Sequence, residues 1–313
     1  MAATSLNSLV LFSIWKTPSL HKPSFILIAN LAITDLVVGF IAEPLMALTN
    51  IAALKEWTWL FCHIWIIGRA VGYTMGAMSL NTLAAISVDR LLAIKLKERY
   101  RSVVTMKRVF AVLLGFWTST CCFSVLINSY IDKVVIILSV YLFVLVGTLT
   151  FCYASSFYSL RKLTSPVTPN NIGSRINTDE SQISPPLQPT SLQPSSLQPP
   201  PRLPYANSIF RVSRFKRSLN TMLLMLMIII FFYFPYFCAL VMTAVIYKVV
   251  PNASHSQFRM LNYKCMTMGE LIVFVNSTMN PVIYLWRLKD IRQGAITVMR
   301  RIFGKKTTER TDS

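Results

Sequence analysis

Six polar residues interrupt long apolar runs of the sequence and could together bind a small cation. They are Asn7, Asp35, Ser79, Asn276, Ser277 and Asn280. A buried polar or charged group costs free energy in an apolar surrounding, so each of these residues is a candidate for function. One carboxylate with several hydroxyl and amide oxygens is a ligand set that a hard cation such as Na⁺ accepts. The alternative is a hydrogen-bonded network that only packs helices together.

A second set of residues, nearer one end of the same runs, could form a ligand cavity. The set comprises Glu43, Arg69, Gly72, Tyr73, Gly76, Tyr233, Tyr236, Phe237 and Glu270. Small residues beside aromatic rings and opposite charges are typical of a cavity between helices. An internal Arg69–Glu270 ion pair with no role in ligand binding explains the same charges equally well.

The apolar runs that carry both sets predict membrane-spanning helices. Of the 313 residues, 54% are hydrophobic and 14% are charged, against roughly 25% charged in soluble domains. Runs of about 18 or more mostly apolar residues can cross a bilayer. Six spans are predicted, at 24–49, 59–94, 109–128, 134–160, 218–248 and 264–286. Residues 1–15 form a shorter segment of roughly 22 Å, less than a hydrocarbon core of about 30 Å.

Positive charge is concentrated in alternate connections between the spans. The net charge is +19, and 25 of the 31 Lys and Arg residues fall in connections and a tail on one side of the predicted bundle. The positive-inside rule then places the N-terminus outside and the C-terminus inside. We therefore expect a multi-pass plasma-membrane protein whose charge reflects topology and contact with anionic lipids, and we expect no nucleic-acid binding.

The segment 161–217 differs from the rest because it is polar, basic and proline-rich. It contains the sequence LQP three times at five-residue spacing. Such a composition cannot bury a core and predicts a disordered cytoplasmic loop. Binding of an SH3 or WW partner is the alternative to a plain flexible loop.

The segment 287–303 predicts an amphipathic helix on the inner leaflet of the membrane. Ile291, Ala295, Val298 and Ile302 share one helical face, and basic residues occupy the other. Residues 304–313 form a polar cytoplasmic tail. On the outer side, Asn252 begins a sequon for N-glycosylation.

Several motifs in order along the chain resemble the rhodopsin-like (class A) G-protein-coupled receptors. They are NLAITDL in the second span, SVDR at the end of the third, Trp117 in the fourth, a proline–aromatic element in the sixth and NPVIY at the end of the seventh. The resemblance implies an all-α seven-helix membrane bundle with an amphipathic eighth helix. It places five helices in 1–160 and two in 218–286. Because the family's first helix carries an Asn near its middle, Asn7 implies a truncated first helix.

The resemblance also implies roles for individual residues. Apart from Asn7, the residues of the first polar set match the family's sodium pocket. Asp89 and Arg90 match the pair whose arginine meets the C-terminal helix of a G protein, and Tyr153 and Tyr284 match tyrosines that swing toward it. The implied partners are a heterotrimeric G protein and an agonist that shifts a two-state bundle. No cofactor is expected other than Na⁺ as an allosteric ion.

Departures from the family pattern refine these expectations. Gly72 stands where amine receptors carry an aspartate, so we expect a non-amine ligand that is a peptide, lipid-like or nucleoside-like. Phe215 stands where an acidic residue would face Arg90, so we expect raised basal activity.

The second outer loop resembles that of one branch of the family. This loop is short and lacks cysteine, and the fifth span lacks the usual proline, as in the melanocortin, lysophospholipid, cannabinoid and adenosine receptors, and most of all the melanocortin receptors. Without a partner in that loop, Cys62 either bridges to Cys265 or both are free thiols.

Three other functions compete with that of a receptor. A non-signalling decoy or scaffold is the alternative, because Leu91 replaces the tyrosine that usually follows Arg90. A transporter predicts broken helices in related halves of the sequence, and the chain shows no such repeat. We expect no enzyme, because the three histidines lie near membrane edges without a nucleophile or metal constellation.

Overall fold

The computed structural model describes residues 1–129, 131–164, 204–249 and 256–308. Residues 165–203, which make up most of the proline-rich segment, and the sequon at Asn252 lie outside the described residues. The expectations about that loop and about glycosylation therefore stay predictions.

The described chain is a bundle of helices joined by short connections. The helices are α1 Ala2–Lys16, α2 Pro23–Val37, α3 Glu43–Leu54, α4 Thr58–Leu96, α5 Tyr100–Val103, α6 Met106–Ser129, α7 Ile131–Thr164, α8 Pro204–Val249, α9 Ser256–Arg287 and α10 Lys289–Thr308. A π-helical turn, Val38–Ala42, joins α2 to α3 without a break. The predicted all-α bundle is confirmed.

Four stretches in the described residues are long and apolar enough to cross a membrane. They are Pro23–Leu54, Thr58–Val103, Ile137–Ser159 and Leu219–Thr243, with mean hydropathies from 1.3 to 2.5. The helix α9 carries Glu270, Asn276 and Asn280, which lower its hydropathy. The polar residues of α9 therefore weaken the hydropathy signal of a helix that contributes three of the six residues of the first polar set.

Helical structure extends beyond the predicted spans on both sides of the proline-rich segment. The helix α7 continues to Thr164, and α8 begins at Pro204. Proline is well tolerated in the first turn of a helix, because its missing N–H would have no partner there. After Pro204 the sequence has no further proline until Pro235, so nothing in the intervening sequence interrupts the helix.

The core of the bundle lies around α4, which packs against α2, α3, α6, α7 and α8. Fully buried apolar side chains in this core include Leu31, Met78, Leu83 and Ile229. The outward-facing side chains are also apolar, and Phe143 is 80% exposed. An apolar surface around an apolar core suits a lipid surrounding, because water disfavours large exposed apolar areas.

Gly39 lets α1 approach the π-helical turn closely. A Cβ atom at this position would lie 2.9 Å from the Cβ of Ala3. Real Cβ atoms do not come that near to each other, so any larger residue would push α1 away from the bundle. The helix α1 also packs on α2, α9 and α10.

The helix α10 turns its apolar face toward the bundle. Ile291, Ala295 and Val298 are at most 3% exposed, and α10 packs mainly on α1 and α9. The predicted face is therefore present, and its described residues contact protein, while the side chain of Ile302 lies outside the described residues. A Cβ at Gly294 would lie 3.2 Å from the hydroxyl of Thr17, which shows how close α10 comes to the end of α1.

Candidate functional site

A cavity between α3, α4, α7, α8 and α9 brings together most of the second predicted set. The space in it that no atom fills is about 940 Å³, a figure that includes open solvent at its mouth. Aromatic and small side chains with a few polar groups line it, as is usual for small-molecule sites. The predicted residues that line it are Arg69, Gly72, Tyr73, Gly76, Tyr233, Tyr236 and Glu270. Their role in ligand binding stays a prediction.

Two of the three glycines of α4, Gly72 and Gly76, widen this cavity. A Cβ at Gly72 would have the ring of Phe274 as its nearest neighbour, at 3.8 Å. A Cβ at Gly76 would meet nothing within 4 Å. Because α4 presents no side chain at either position, the aromatic rings of the other helices face open space across it.

Arg69 is held by aromatic neighbours on its own helix. It donates a hydrogen bond to the hydroxyl of Tyr73, and its guanidinium lies 4.5 Å from the ring centroid of Trp65 and 5.1 Å from that of Tyr73. A guanidinium over an aromatic face is attracted by the negative face of the ring. Tyr73 stands four residues after Arg69, one helical turn away, so the sequence already places these two side chains together.

Glu270 contributes a carboxylate to the opposite wall of the cavity. Among the described residues, neither Arg69 nor any other cation forms an ion pair with it. The internal Arg69–Glu270 pair, the alternative explanation of these charges, is therefore not formed. A carboxylate and a guanidinium face the same space, and among the described residues the guanidinium has a side-chain hydrogen-bond partner in Tyr73.

Two predicted residues lie elsewhere. The carboxylate of Glu43 is 3.9 Å from the amino nitrogen of Met1, at the start of α1. Phe237 packs against the hydrophobic core, because adjacent residues on a helix point about 100° apart and Tyr236 already faces the cavity.

The lining residues that the sequence analysis missed include Trp65, Tyr141 and Tyr263. Trp65 stands one turn before Arg69, and helical spacing from Arg69 would have found it. Tyr141 on α7 donates to the side-chain oxygen of Asn81 at 3.0 Å and to the carbonyl of Ala77 at 3.1 Å. Tyr263 on α9 donates to Asn50 at 3.1 Å. For Tyr141 and Tyr263 no sequence pattern gives the partner, because it lies on a distant helix.

The first predicted set forms a buried polar cluster deeper in the bundle. The Ser79 hydroxyl is 3.4 Å from one carboxylate oxygen of Asp35, and Asn280 donates an amide N–H to the other at 2.8 Å. Asn7 donates to the carbonyl of Ser277 at 3.1 Å. All six residues are at most 6% exposed. The side-chain oxygens of Asn7 and Asn276 are buried and have no hydrogen-bond partner among the described residues.

A separate polar chain ties α2, α4 and α6 together. Trp117 donates its indole N–H to the side-chain oxygen of Asn30 at 3.1 Å, and Asn30 donates to Thr82 at 2.8 Å. Asn30 and Thr82 are buried. Since each side chain is satisfied by the next, this chain fixes the register of the three helices.

The end of α4 away from the cavity carries a third cluster, centred on Asp89. Its carboxylate pairs with Arg90 at 2.7 Å and accepts hydrogen bonds from Tyr100 and, at 2.9 Å, from Ser24. Asp89 is 4% exposed, and the Arg90 side chain is 32% exposed. Ser24 and Tyr100 were not predicted from the sequence. Tyr100 reaches Asp89 because the irregular connection after α4, where Lys97 has a φ of 49°, turns the chain back.

The two predicted tyrosines near this end differ in burial. Tyr284 is 1% exposed, and its hydroxyl has no hydrogen-bond partner among the described residues. Tyr153 is half-buried and stacks on Phe157 with ring centroids 6.4 Å apart. The side chain of Phe215 lies outside the described residues, so the expectation of raised basal activity stays a prediction.

All six cysteines are free thiols. The Cys62–Cys265 bridge is therefore not formed, and of the two alternatives for this pair the free thiols are the one observed.

Most of the chain matches one family model. Residues 6–134 and 128–284 match the model described as the 7 transmembrane receptor (rhodopsin family). The match includes all three polar clusters and the cavity.

Similar individual proteins are receptors for amines by name. Octopamine receptor Oamb of Drosophila melanogaster is 31% identical over 134 residues, which are 42% of this chain and 20% of that receptor. The 5-hydroxytryptamine receptor 1E of Homo sapiens is 32% identical over 115 residues, 37% of this chain and 31% of the receptor. The same receptor of Cavia porcellus is 33% identical over 113 residues, 36% of this chain and 30% of the receptor. The matched part of the chain spans less than a third of the length of these relatives, and none of the three belongs to the branch that the second outer loop resembles.

Proposed function

The chain belongs to the rhodopsin family of seven-transmembrane receptors, and we propose that it binds an extracellular small molecule in the cavity and in response activates a heterotrimeric G protein. As a member of this family it is a multi-pass membrane protein and a receptor, not an enzyme. We propose that its N-terminus is outside and its C-terminus inside, so the cavity opens outward and Arg90 lies at the inner face.

The observation that carries this proposal is the arrangement of α4. Arg69 and Tyr73 of this helix line the cavity, and Asp89 and Arg90 form the ion pair at its other end. The 21 residues from Arg69 to Arg90 span roughly 32 Å at the helical rise, about the thickness of a bilayer core. A ligand that binds one packing of the helices around α4 more tightly than another raises the population of that packing. The shift is set by its difference in affinity for the two packings, and it changes the surroundings of Arg90 at the other end of α4.

The roles at the inner face follow from this arrangement. Release of Arg90 from Asp89 frees a guanidinium for the C-terminal helix of the G protein. Tyr153 and Tyr284 then swing toward it. The unpartnered hydroxyl of Tyr284 supports this role, since a buried polar group without a partner gains free energy when a rearrangement supplies one.

For the ligand we propose a molecule other than a biogenic amine, of peptide, lipid-like or nucleoside-like chemistry. Gly72 supports this class, because α4 offers no carboxylate where it borders the cavity. The surrounding rings of Trp65, Tyr236 and Phe274 provide stacking surface, and Arg69 provides a donor for a carbonyl or an anionic group.

A second ligand class, an amine, is favoured by two specific observations. Glu270 gives the cavity a carboxylate on α9 that makes no direct ion pair among the described residues, and the similar receptors are named for octopamine and 5-hydroxytryptamine. In this case Glu270 on α9 would pair with the ammonium group of the ligand, whereas the aspartate of amine receptors would stand on α4, at the position of Gly72.

One cellular assay tests the function and separates the ligand classes. G-protein dissociation is measured across the main subtypes, normalised to surface protein, without ligand and with libraries of amines and of non-amine compounds. We expect a signal that Arg90→Ala abolishes and Arg101→Ala, an exposed arginine at the same end of the bundle, preserves. A response to amines that Glu270→Gln abolishes would select the amine class. If well-expressed receptor and Arg90→Ala give equal background under every condition, the decoy function is favoured.

We also propose that the buried cluster around Asp35 holds Na⁺ as an allosteric ion. One carboxylate and several neutral oxygens suit this cation, and the unpartnered oxygen of Asn276 supports the fit. We expect replacement of Na⁺ by a large organic cation to raise basal signalling, and Ser79→Ala to weaken that dependence. Ser87→Ala is the matched control, because this buried serine of α4 bonds only to the carbonyl of Leu83 in its own helix. Equal Na⁺ dependence in both variants would contradict the site.

A further inference from the structure

A second cavity lies at the cytoplasmic end of α1, away from the ligand cavity. It is formed by the last residue of α1, the turn Pro18–Leu20, Lys22 and one side of α10. Its volume is about 970 Å³ when the space at its mouth is included, similar to that of the ligand cavity. We call it the basic groove, defined by Lys16, Thr17, Ser19, Lys22, Gln293 and Arg301.

The basic groove carries an excess of positive charge. Lys16, Lys22 and Arg301 line it, with Asp290 as the single acidic lining residue. Within the described parts of the chain, none of the three cations forms an ion pair. All three side chains are exposed. Three cations and one carboxylate around one concave space leave an excess of positive charge, which suits an anion of more than one charge.

Neutral donors complete the polar lining. Thr17 and Ser19 contribute hydroxyl groups, and Gln293 contributes an amide, at the wall between the cations. Hydroxyl and amide N–H groups can donate hydrogen bonds to phosphate oxygens, in addition to the charged donors. Gly294 brings α10 close enough for both sides to contact one ligand, since a Cβ there would already lie 3.2 Å from Thr17.

The surface beside the groove is apolar and aromatic. Phe12 is 37% and Trp15 66% exposed on α1, and the ammonium of Lys16 lies 4.2 Å from the ring centroid of Trp15. Tryptophan is enriched at the height of lipid headgroups, and lysine extends its charge from there toward the water. The groove therefore meets the headgroup layer on one side and the acyl chains on the other.

We propose that the basic groove binds the headgroup of an inner-leaflet lipid that carries phosphate monoesters, with its acyl chains along Phe12 and Trp15. A free inositol phosphate offers the same phosphate chemistry. The exposed aromatic side chains beside Lys16 favour the lipid as the source, because only the lipid covers them. The bound lipid joins α1 to α10, so it stabilises the contact between the first helix and the amphipathic helix.

The test compares two triple variants of the full chain, purified in detergent. In the groove variant, Lys16, Lys22 and Arg301 are each replaced by glutamine. In the control variant the same replacement is made at Lys289, Arg292 and Arg300, which are exposed cations of α10 outside the groove. Both variants therefore have the same net charge. A fluorescent bisphosphorylated inositol lipid is the probe, and unlabelled lipid or soluble inositol trisphosphate is the competitor.

We expect the groove variant to lose on the order of 100-fold in affinity for the lipid, from about five-fold for each cation, and the control variant to lose far less. Equal losses in both variants would show diffuse attraction and overturn the site. Competition by soluble inositol trisphosphate as strong as that by unlabelled lipid would overturn the lipid as the source. Thermal midpoints of both variants serve as the folding control. If the triple variant unfolds, the lipid affinity of Lys22→Gln alone is compared with that of the unchanged protein, since Lys22 lies in a connection outside the long helices.

Discussion

Replacing Asp89 by asparagine should raise ligand-free signalling, because it removes the charge that holds Arg90. The carboxylate of Asp89 pairs with the guanidinium at 2.7 Å and is 4% exposed. Asparagine keeps the size of the side chain and an oxygen that can accept from Ser24 or Tyr100. The change therefore acts mainly on the ion pair and little on packing.

The size of the effect follows from how exposed the pair is. Ion pairs at a protein surface contribute about 0.2–1 kcal/mol, and hydrogen bonds to charged groups about 1.5–3 kcal/mol. With Asp89 buried and Arg90 32% exposed, we expect about 1–2 kcal/mol, or a shift of roughly 5- to 30-fold in the ratio of the two states. If the active state is about 1% populated without ligand, its share rises to roughly 5–25%.

Ligand-free G-protein dissociation, normalised to surface protein, measures this shift. Asp290→Asn is the matched control, since this exposed aspartate of α10 lies at the same end of the bundle and forms no ion pair among the described residues. The double variant Asp89→Asn with Arg90→Ala should return to background. An Asp89→Asn signal no higher than that of Asp290→Asn would refute the argument that the pair restrains Arg90. So would a high signal that persists in the double variant.

Two further predictions concern stability, measured as the thermal midpoint of purified protein. Trp117→Phe leaves the side-chain oxygen of Asn30 without its donor and should lower the free energy of unfolding by about 1–3 kcal/mol. Trp59→Phe, at a residue 73% exposed, should lower it much less. Equal losses of stability would contradict a role for the hydrogen bond. Gly39→Ala should destabilise the protein, because its Cβ would lie 2.9 Å from α1. Gly115→Ala should stabilise it by up to about 1 kcal/mol, because alanine favours the helix and nothing lies within 4 Å of that position. A change of the thermal midpoint in the same direction for both variants would contradict the packing argument.

The sequence predicts which residues lie at a given depth in the bundle. The apolar runs define the helices, so Asp35, Ser79 and Asn280 can be assigned to the middle of the membrane before any contact is known. Helical spacing on α4 likewise places Arg69 and Tyr73 on one face, where they share a hydrogen bond. These successes depend on positions within one regular helix.

Two failures, the placement of Glu43 and the missed contact of Tyr100, occur where the chain departs from regular α-helix. The π-helical turn Val38–Ala42 inserts an extra residue per turn, which rotates α3 relative to α2, and Glu43 begins the helix immediately after it. Tyr100 reaches Asp89 through a connection whose course depends on the positive φ of Lys97. The apolar face of α10 gives no sign whether lipid or α1 will cover it. For Glu43 and Tyr100 the missing information is the local backbone path, and for α10 it is the packing of separate helices. Composition and periodicity contain neither.

The distribution of unsatisfied polar groups indicates why this bundle can exist in two states. The side-chain oxygens of Asp89 and Asn30 have hydrogen-bond partners. Six buried side-chain atoms have none among the described residues: Asn7 Oδ1, Ser156 Oγ, Tyr236 Oη, Asn276 Oδ1, Tyr284 Oη and Arg287 Nε. Each such group costs about 1–3 kcal/mol. Four of these six atoms lie on α1 and α9, so a rearrangement or a bound ion that satisfies them would offset part of the free energy that breaking the Asp89–Arg90 pair costs. In the proposed two-state bundle, the ligand contributes the remaining difference through its higher affinity for the rearranged state.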